Sequence, residues 1–278
     1  MKKRIIGLSI VAVTLIVIGV LFGFVFCVRN QSVSYIDKNI KITQQELLET
    51  ANIKNGTPIF TIDKNSAINN IESKYPYIKV VQIKTNSVTD IQFVVDSRQE
   101  VYVITHEDFT YILDKELKVL EKLEKTTEYN NLIEISNKIV KINKNTKVCD
   151  FVGTTSYQNV AKELYNAIYN NAVKQVGEEK QHLTHPEVLE LVKSVNLTVG
   201  ATLSGECNVL VVKLADSTSF GTYGETIEIW KPDQDLDYKF NACFSTLTTL
   251  QKENIKAEKI TYGYDAEDKD KLSYFVKK

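Results

Sequence analysis

The chain has 278 residues, of which 34 are basic and 35 acidic, so its formal net charge at pH 7 is −1. The four basic residues before position 30 have no acidic counterparts, and the remaining 30 basic and 35 acidic residues give the rest of the chain a charge of −5. This balance does not support a nucleic-acid-binding surface. The roughly 250 residues after the N-terminal region suffice for one large or two modest domains.

An uncharged apolar segment runs from residue 5 to residue 28. At about 1.5 Å per helical residue it would span roughly 36 Å, which is enough to cross a bilayer. Residues 23–27 read GFVFC, without the small residues of a cleavage site, so we predict an uncleaved signal anchor. Three basic residues precede the segment, and the positive-inside rule predicts that residues 1–4 are cytoplasmic and that the bulk of the chain is extracytoplasmic.

The next region begins with a predicted strand and a capped helix. Residues 33–35 alternate between apolar and polar side chains, as a short half-buried strand does. Thr43 and Glu46 have the spacing of a capping box, in which each side chain binds a backbone amide of the other residue. A short helix is therefore predicted to begin after Thr43.

A second helix and a hairpin follow. Asp63 can cap a helix that ends before Pro76, because the residue before a proline disfavours helical geometry. Two alternating runs, 78–84 and 91–95, are separated by a polar turn and predict a β-hairpin. The predicted order is therefore strand, helix, helix, strand, strand.

The rest of the chain mixes strands with amphipathic helices. Apolar residues recur at helical spacing in 157–168, from Pro186 through Val192, and in 236–247, where Cys243 is predicted to be a core residue. Residues 111–120 predict two short strands around an acidic turn. Further strands are predicted at 209–214, 226–230, 259–264 and 272–276.

The sequence carries no convincing motif of catalysis or metal binding. There is no G-x-S-x-G elbow, phosphate loop or dinucleotide fingerprint, and the three cysteines beyond residue 30 form no C-x-x-C pair. His182 and His185 straddle a predicted helix start, which favours a polar surface turn over a metal site. The acidic residues in 265–270 lack EF-hand spacing and predict a solvated turn. Arg98 is predicted to be a structural ion-pair partner, and we predict no catalytic residue, metal or cofactor.

The order of these elements behind an apolar anchor resembles that of the FtsQ/DivIB-type bacterial division proteins. Residues 42–63 are similar to the family's capped helix and its G-x-P-I/L-F/L-x-I/L-D turn. Residues 75–81 and 94–98 are similar to its entry into and exit from a hairpin. Residues 111–120 resemble its h-I-D-x-x-G-x-V-L hairpin, although Leu117 stands where a glycine is usual.

The resemblance implies an α+β fold in three parts. These are a transmembrane anchor at 5–28, a POTRA-like βααββ module at 32–101, and a larger mixed β-rich domain with amphipathic helices at 102–278. It also implies a non-enzymatic scaffold at the division septum. The implied partners are FtsL-like and FtsB/DivIC-like proteins that cross the membrane once and, through them, the septal peptidoglycan synthase.

In the resembled family the partner docks near the end of the β domain, and we expect strand addition to an open sheet edge. The matching candidates for partner binding lie on the last two predicted strands: Ile260, Tyr262, Tyr264, Tyr274 and Phe275. Alternating aromatic residues on a strand also occur in cores, so a core role for these residues stays open.

Two other functions stay open on sequence alone. One is a membrane-tethered sensor or ligand-binding ectodomain, and the other is an extracytoplasmic hydrolase. The hydrolase is the weaker alternative, because it would need an activated nucleophile, an acid and base pair or a metal, and no motif for these is evident.

Overall fold

The computed structural model describes residues 25–125, 131–136, 139–140, 142–143, 145–176, 179–202, 205–215, 221, 223–263 and 271–276, together with 13, 14 and 19. Most of the predicted anchor at 5–28 and all of the predicted acidic turn at 265–270 lie outside the described residues. Among those residues, none of the helices combines the length and apolar character needed to cross a bilayer. The chain divides into unit 1, residues 1–98, and unit 2, residues 99–278.

From residue 30 to residue 98, unit 1 contains a three-stranded sheet and two α-helices, in the predicted order of strand, helix, helix, strand, strand. The elements are β1 (Asn30–Tyr35), α1 (Gln44–Ala51), α2 (Lys64–Lys74), β2 (Ile78–Thr85) and β3 (Asp90–Ser97), with a 3₁₀ turn at Ile59–Thr61 before α2. The sheet order is β1-β3-β2, with β1 parallel and β2 antiparallel to the central β3.

Local hydrogen bonds start both helices where the sequence predicts. The capping box of α1 is present, since the Thr43 backbone N–H donates to Glu46 Oε2 at 3.0 Å and the Glu46 N–H donates to Thr43 Oγ1 at 3.3 Å. The Asp63 carboxylate accepts from the Ser66 N–H at 3.0 Å and caps α2. Such caps each contribute roughly 0.5–2 kcal/mol of helix stability.

The helices of unit 1 cover the apolar side of its sheet. Leu47 of α1 and Ile71 of α2 are fully buried against Ile91 and Phe93 of β3 in one core cluster. Val28, the last residue of the apolar N-terminal segment, belongs to the same cluster and is also fully buried. The folded unit therefore begins within this apolar segment.

The described part of unit 2 includes a nine-stranded mixed sheet, a separate hairpin and three helices of seven residues or more. The sheet order is β14-β13-β12-β11-β10-β7-β4-β5-β6, and β8 and β9 form the hairpin. The strands and helices are β4 (Tyr102–His106), β5 (Phe109–Leu113), β6 (Val119–Glu124), β7 (Ile133–Ile135), α3 (Thr155–Asn171), β8 (Val173–Val176), β9 (Glu179–His182), α4 (His185–Leu191), β10 (Val192–Thr202), β11 (Gly205–Leu214), β12 (Gly224–Trp230), α5 (Leu236–Glu253), β13 (Ala257–Gly263) and β14 (Lys271–Val276). The two units together confirm the predicted α+β fold class.

A short strand joins the two parts of the large sheet. β7 pairs in parallel with β4 on one side and with β10 on the other, over two residue pairs each. On the β4 side, β4, β5 and β6 form an antiparallel meander. On the β10 side, β10, β11 and β12 are antiparallel, β13 is parallel to β12, and β14 is antiparallel to β13.

The long helix α5 packs on β12 and β13, and it also packs against α3. Its buried side chains include Phe240, Phe244 and Leu247, as the helical spacing predicts. Cys243 lies on the same face and is fully buried, which confirms the prediction of a core residue. Burial raises the pKa of the Cys243 thiol to about 12, so the thiol stays protonated at neutral pH.

One sequence prediction in unit 2 is wrong. Val192 is the first residue of β10 and does not extend the helix that starts near Pro186. The apolar residues Val188, Leu191, Val192 and Val195 fit helical spacing, which explains the error. The antiparallel partner β11 pairs with β10 along nearly its whole length, so the tertiary ladder overrides the local pattern.

Candidate functional site

The outermost strand β14 forms one end of the nine-stranded sheet. It pairs antiparallel with β13 on one side, and no strand of the described part of the chain pairs with it on the other. One row of its backbone N–H and C=O groups therefore has no ladder partner among the described strands. Such an edge can accept a further strand from another chain.

Ile260 and Tyr262 lie on β13, between β12 and β14. Both side chains are buried: Ile260 belongs to the same core cluster as Leu247 of α5, and the Tyr262 ring meets that of Tyr238 on α5 edge to face with centroids 6.2 Å apart. These contacts hold β13 against α5. Since β14 pairs with β13, they also support the position of the edge strand. Direct contact of either side chain with a partner stays a prediction.

Two of the other three predicted residues, Tyr274 and Phe275, lie on the edge strand β14. The pairing register places Tyr274 opposite Ile260 and Phe275 opposite Lys259. Tyr264 lies outside the described residues. The structure thus brings four of the five predicted residues onto the last two strands, and their role in partner binding stays a prediction.

The face of the sheet opposite α5 carries polar and aromatic residues that the sequence prediction did not include. On β12, Thr226, Glu228 and Trp230 alternate with the buried Ile227 and Ile229, and all three are partly exposed. This alternation of buried and partly exposed residues along β12 is the sequence signal that could have identified the face opposite α5.

A cross-strand ion pair joins β12 to β13 on this face. Lys259 Nζ lies 3.1 Å from each carboxylate oxygen of Glu228. Since Phe275 is the register partner of Lys259, the pair lies one strand away from the edge. A partner strand at this edge would therefore lie next to a surface that carries both charges and partly exposed apolar atoms.

The indole of Trp230 spans a space between two glycines. A Cβ placed on Gly263 of β13 would lie 2.4 Å from Trp230 Cδ1, and one on Gly200 of β10 would lie 2.6 Å from Trp230 Cη2. Both distances are too short for real carbon atoms. The absence of side chains at these two positions is therefore what lets the ring lie along the sheet.

The comparisons with known proteins agree with this architecture. Residues 35–92 match the FtsQ-type POTRA domain family. A cell division protein DivIB from Clostridium tetani is 27% identical over 84% of this chain and 74% of its own length. A second, from Clostridium acetobutylicum, is 30% identical over 39% of this chain and 43% of its own length.

These similarities support an FtsQ/DivIB-type protein. They support a bacterial cell division protein whose unit 1 carries an FtsQ-type POTRA domain.

The hairpin between β5 and β6 has a left-handed backbone conformation at a residue that carries a side chain. Leu117 has φ +61°, a left-handed conformation that costs a residue with a side chain about 1–2 kcal/mol. Asp114 Oδ1 stabilises this turn by accepting from the backbone N–H groups of Glu116 at 2.8 Å and Lys118 at 2.9 Å. The Leu117 side chain is fully buried in the core, and this burial offsets the backbone cost by a similar amount.

The histidines considered as metal ligands have other surroundings. His185 starts α4, where its Nδ1 lies 2.6 Å from the hydroxyl of Tyr165 on α3, while His182 ends β9 and is exposed. No group of three or more His, Cys, Asp or Glu in the described part of the chain is arranged to hold a metal ion. His185 thus links α3 and α4.

We expect the stability of unit 2 to fall as the pH falls below about 6.5. Burial lowers the pKa of His185 from its ordinary value of 6.5, and this effect outweighs the opposing effects of the hydrogen bond to the Glu100 backbone and of the Glu100 charge. The unfolded chain therefore takes up the proton first, and stability that is present above the unfolded pKa is lost as the pH falls towards the folded pKa. Thermal unfolding at about pH 7.5 and 5.5 measures this loss on both sides of the unfolded pKa.

The matched variants are His185→Gln and His182→Gln. The first should lose less stability between the two pH values than the wild type, because the titrating imidazole is gone. The second should keep the wild-type dependence, since His182 is exposed. Equal pH dependence in all three proteins would contradict the role of His185.

Proposed function

We propose that this division protein is a non-enzymatic scaffold whose extracytoplasmic β domain, residues 102–278, binds a β-strand of another division protein that crosses the membrane once. The partner is of the FtsL or FtsB/DivIC type, and through it the scaffold helps to regulate septal peptidoglycan synthesis. Residues 5–28 anchor the chain in the cell membrane at the septum, with residues 1–4 in the cytoplasm. Residues 32–101 form the POTRA domain between the anchor and the β domain.

The observation that carries this proposal is the position of β14 at the end of the sheet. Strand addition obtains affinity from main-chain hydrogen bonds and specificity from alternate side chains. The interior strand β13 is held by α5 and by the Lys259–Glu228 ion pair, so the edge is built on a rigid support. Tethering to one membrane raises the effective concentration of both proteins, so a modest intrinsic affinity suffices.

We expect Phe275→Asp to weaken binding of the DivIC-like partner by at least about tenfold, or roughly 1.4 kcal/mol. The new carboxylate would lie on the strand that the partner must join, where it would have to be desolvated. The measurement is pull-down of the tagged full chain with the partner from detergent-solubilised membranes, together with midcell localisation of a fluorescent fusion.

Val199→Asp is the matched control. Val199 is exposed on β10 of the same sheet, three strands away from β13, so the same charge there should leave binding intact. Thermal unfolding of both variants checks that unit 2 folds. Wild-type pull-down and localisation of both Phe275→Asp and a chain lacking residues 272–278 would overturn docking at this edge.

A further inference from the structure

An exposed aromatic residue lies where the apolar N-terminal segment enters unit 1. Phe60, in the 3₁₀ turn at Ile59–Thr61, has 74% of its surface exposed. Its ring lies 5.5 Å from the ring of Phe26, measured between centroids. Val25, the residue before Phe26, is 47% exposed. An exposed phenylalanine that lies against a partly buried one beside an apolar segment needs a physical explanation.

The backbone ties this turn to the end of the apolar segment. The Ile59 N–H donates to the Phe26 carbonyl at 2.8 Å, and the Val28 N–H donates to the Thr57 carbonyl at 2.9 Å. The Gly56 N–H donates to the Val28 carbonyl at 2.8 Å, and Cys27 and Pro58 form a β-bridge. The segment is thus attached to the turn by a short ladder, and Phe60 cannot move far from Phe26.

The length of the apolar segment places this ladder at the edge of a bilayer. Val28 is buried in the core of unit 1, so the segment is part of the folded unit by residues 26–28. The remaining residues, 5–25, carry no charge and would span about 31 Å as a helix, against a hydrocarbon core of about 30 Å. Phe26 and Phe60 would then lie at the level where lipid tails meet headgroups.

Apolar exposure within unit 1 is concentrated at this end. Between residues 25 and 98, five large apolar side chains are exposed: Val25, Ile36, Phe60, Val81 and Val88. Val88 lies in the β2–β3 hairpin, whose Thr89 carbonyl accepts from the Arg29 N–H at 2.9 Å, so three of the five lie at the end where the segment enters. Arg29 and Lys54, both exposed, flank the same end and suit the phosphate level of a membrane.

We propose that Phe60, together with Phe26 and Val25, inserts into the outer interface of the lipid bilayer and holds the POTRA domain against the membrane surface. The proposal rests on the anchor in the proposed function, but it concerns a second contact that the anchor does not require. Insertion removes exposed apolar surface from water, and the ladder to residues 26–28 means that little conformational freedom is lost when the turn inserts.

The experiment uses the full chain reconstituted into phospholipid vesicles, with and without lipids that carry brominated acyl chains. Bromine quenches tryptophan fluorescence only at short range. The chain has a single native tryptophan, Trp230, so the wild type supplies the baseline to subtract. The probe variant is Phe60→Trp.

The control variant is Ile36→Trp. Ile36 is 56% exposed and lies six residues beyond Asn30, so it is about 20 Å along β1 from the end where the segment enters. Val13→Trp, inside the apolar segment, reports on the anchor itself. We expect strong quenching at position 13, little quenching at 36, and quenching at 60 at least twice that at 36.

The outcomes separate the two hypotheses. Quenching at position 13 with equal values at 60 and 36 would overturn the insertion of Phe60 and leave the anchor intact. A lack of quenching at position 13 would overturn the anchor and, with it, this inference. Quenching at both 13 and 60 but not at 36 would support the POTRA domain lying on the membrane by way of Phe60.

Discussion

Replacing Arg98 by alanine is expected to destabilise unit 1 by about 3–5 kcal/mol. Arg98 is 7% exposed, and its Nη2 lies 2.8 Å from Oε2 of Glu72 on α2. The other Glu72 oxygen accepts from the Val80 N–H of β2 at 2.9 Å. Removing the guanidinium would leave the Glu72 carboxylate buried without its counter-charge, at the point where α2, β2 and the end of β3 meet.

Hydrogen exchange of the full chain in detergent micelles measures this loss. Peptides from β2 and β3 should exchange at least about a hundredfold faster in Arg98→Ala, while peptides from unit 2 serve as an internal reference. Lys84→Ala, an exposed site on β2, is the control and should change little. The double variant Arg98→Met with Glu72→Leu should be less damaged than Arg98→Ala, because both charges of the buried pair are removed together. Unchanged exchange in Arg98→Ala would show that the ion pair does not hold unit 1 together.

Gly263→Ala is expected to destabilise unit 2 by about 1–3 kcal/mol, because the new methyl group would overlap the Trp230 indole. The clash involves the Cβ and Cγ atoms of Trp230, which cannot swing away as a flexible chain end could. For a unit of this size, the loss corresponds to a fall in Tm of roughly 2–12 °C. Thermal unfolding of the full chain, followed by circular dichroism, measures it.

A double-mutant cycle identifies the cause. In a Trp230→Ala background the cost of Gly263→Ala should fall by at least half, because the clashing ring is gone. Gly200→Ala should show the same rescue from the other end of the indole. An equal cost of Gly263→Ala in both backgrounds would mean that the clash with Trp230 is not the source of the loss.

Sequence reasoning succeeded where the determinants are local. The cap at Asp63 and the capping box of Thr43 and Glu46 each depend on residues three positions apart, and both are present in the structure. The buried face of α5 follows from helical spacing alone. Arg98 was predicted to be an ion-pair partner, but Glu72 lies 26 residues away, and only the fold brings the two together.

Sequence reasoning failed where contacts between distant parts of the chain decide the structure. β10 has apolar spacing that fits a helix at its start, and its ladder with β11 decides the outcome. At the candidate edge, the alternation of Ile260 and Tyr262 identified an apolar face, but no sequence pattern tells whether a helix or a partner covers that face. The structure places α5 there. Trp230 was missed because it shares a strand with the buried Ile227 and Ile229 but points to the other face.

The three-residue strand β7 has a consequence for how the large sheet assembles. The meander β4-β5-β6 and the hairpin β10-β11 each involve neighbours in sequence, so both pairings close short loops. β7 connects to β10 only after more than fifty intervening residues, and through two residue pairs. Distant pairings of this kind form slowly, because chain entropy is lost before the contacts compensate. The two blocks should therefore become ordered separately and pair through β7 late in folding. A molecule that has not completed this step would expose unpaired strand edges beside β7.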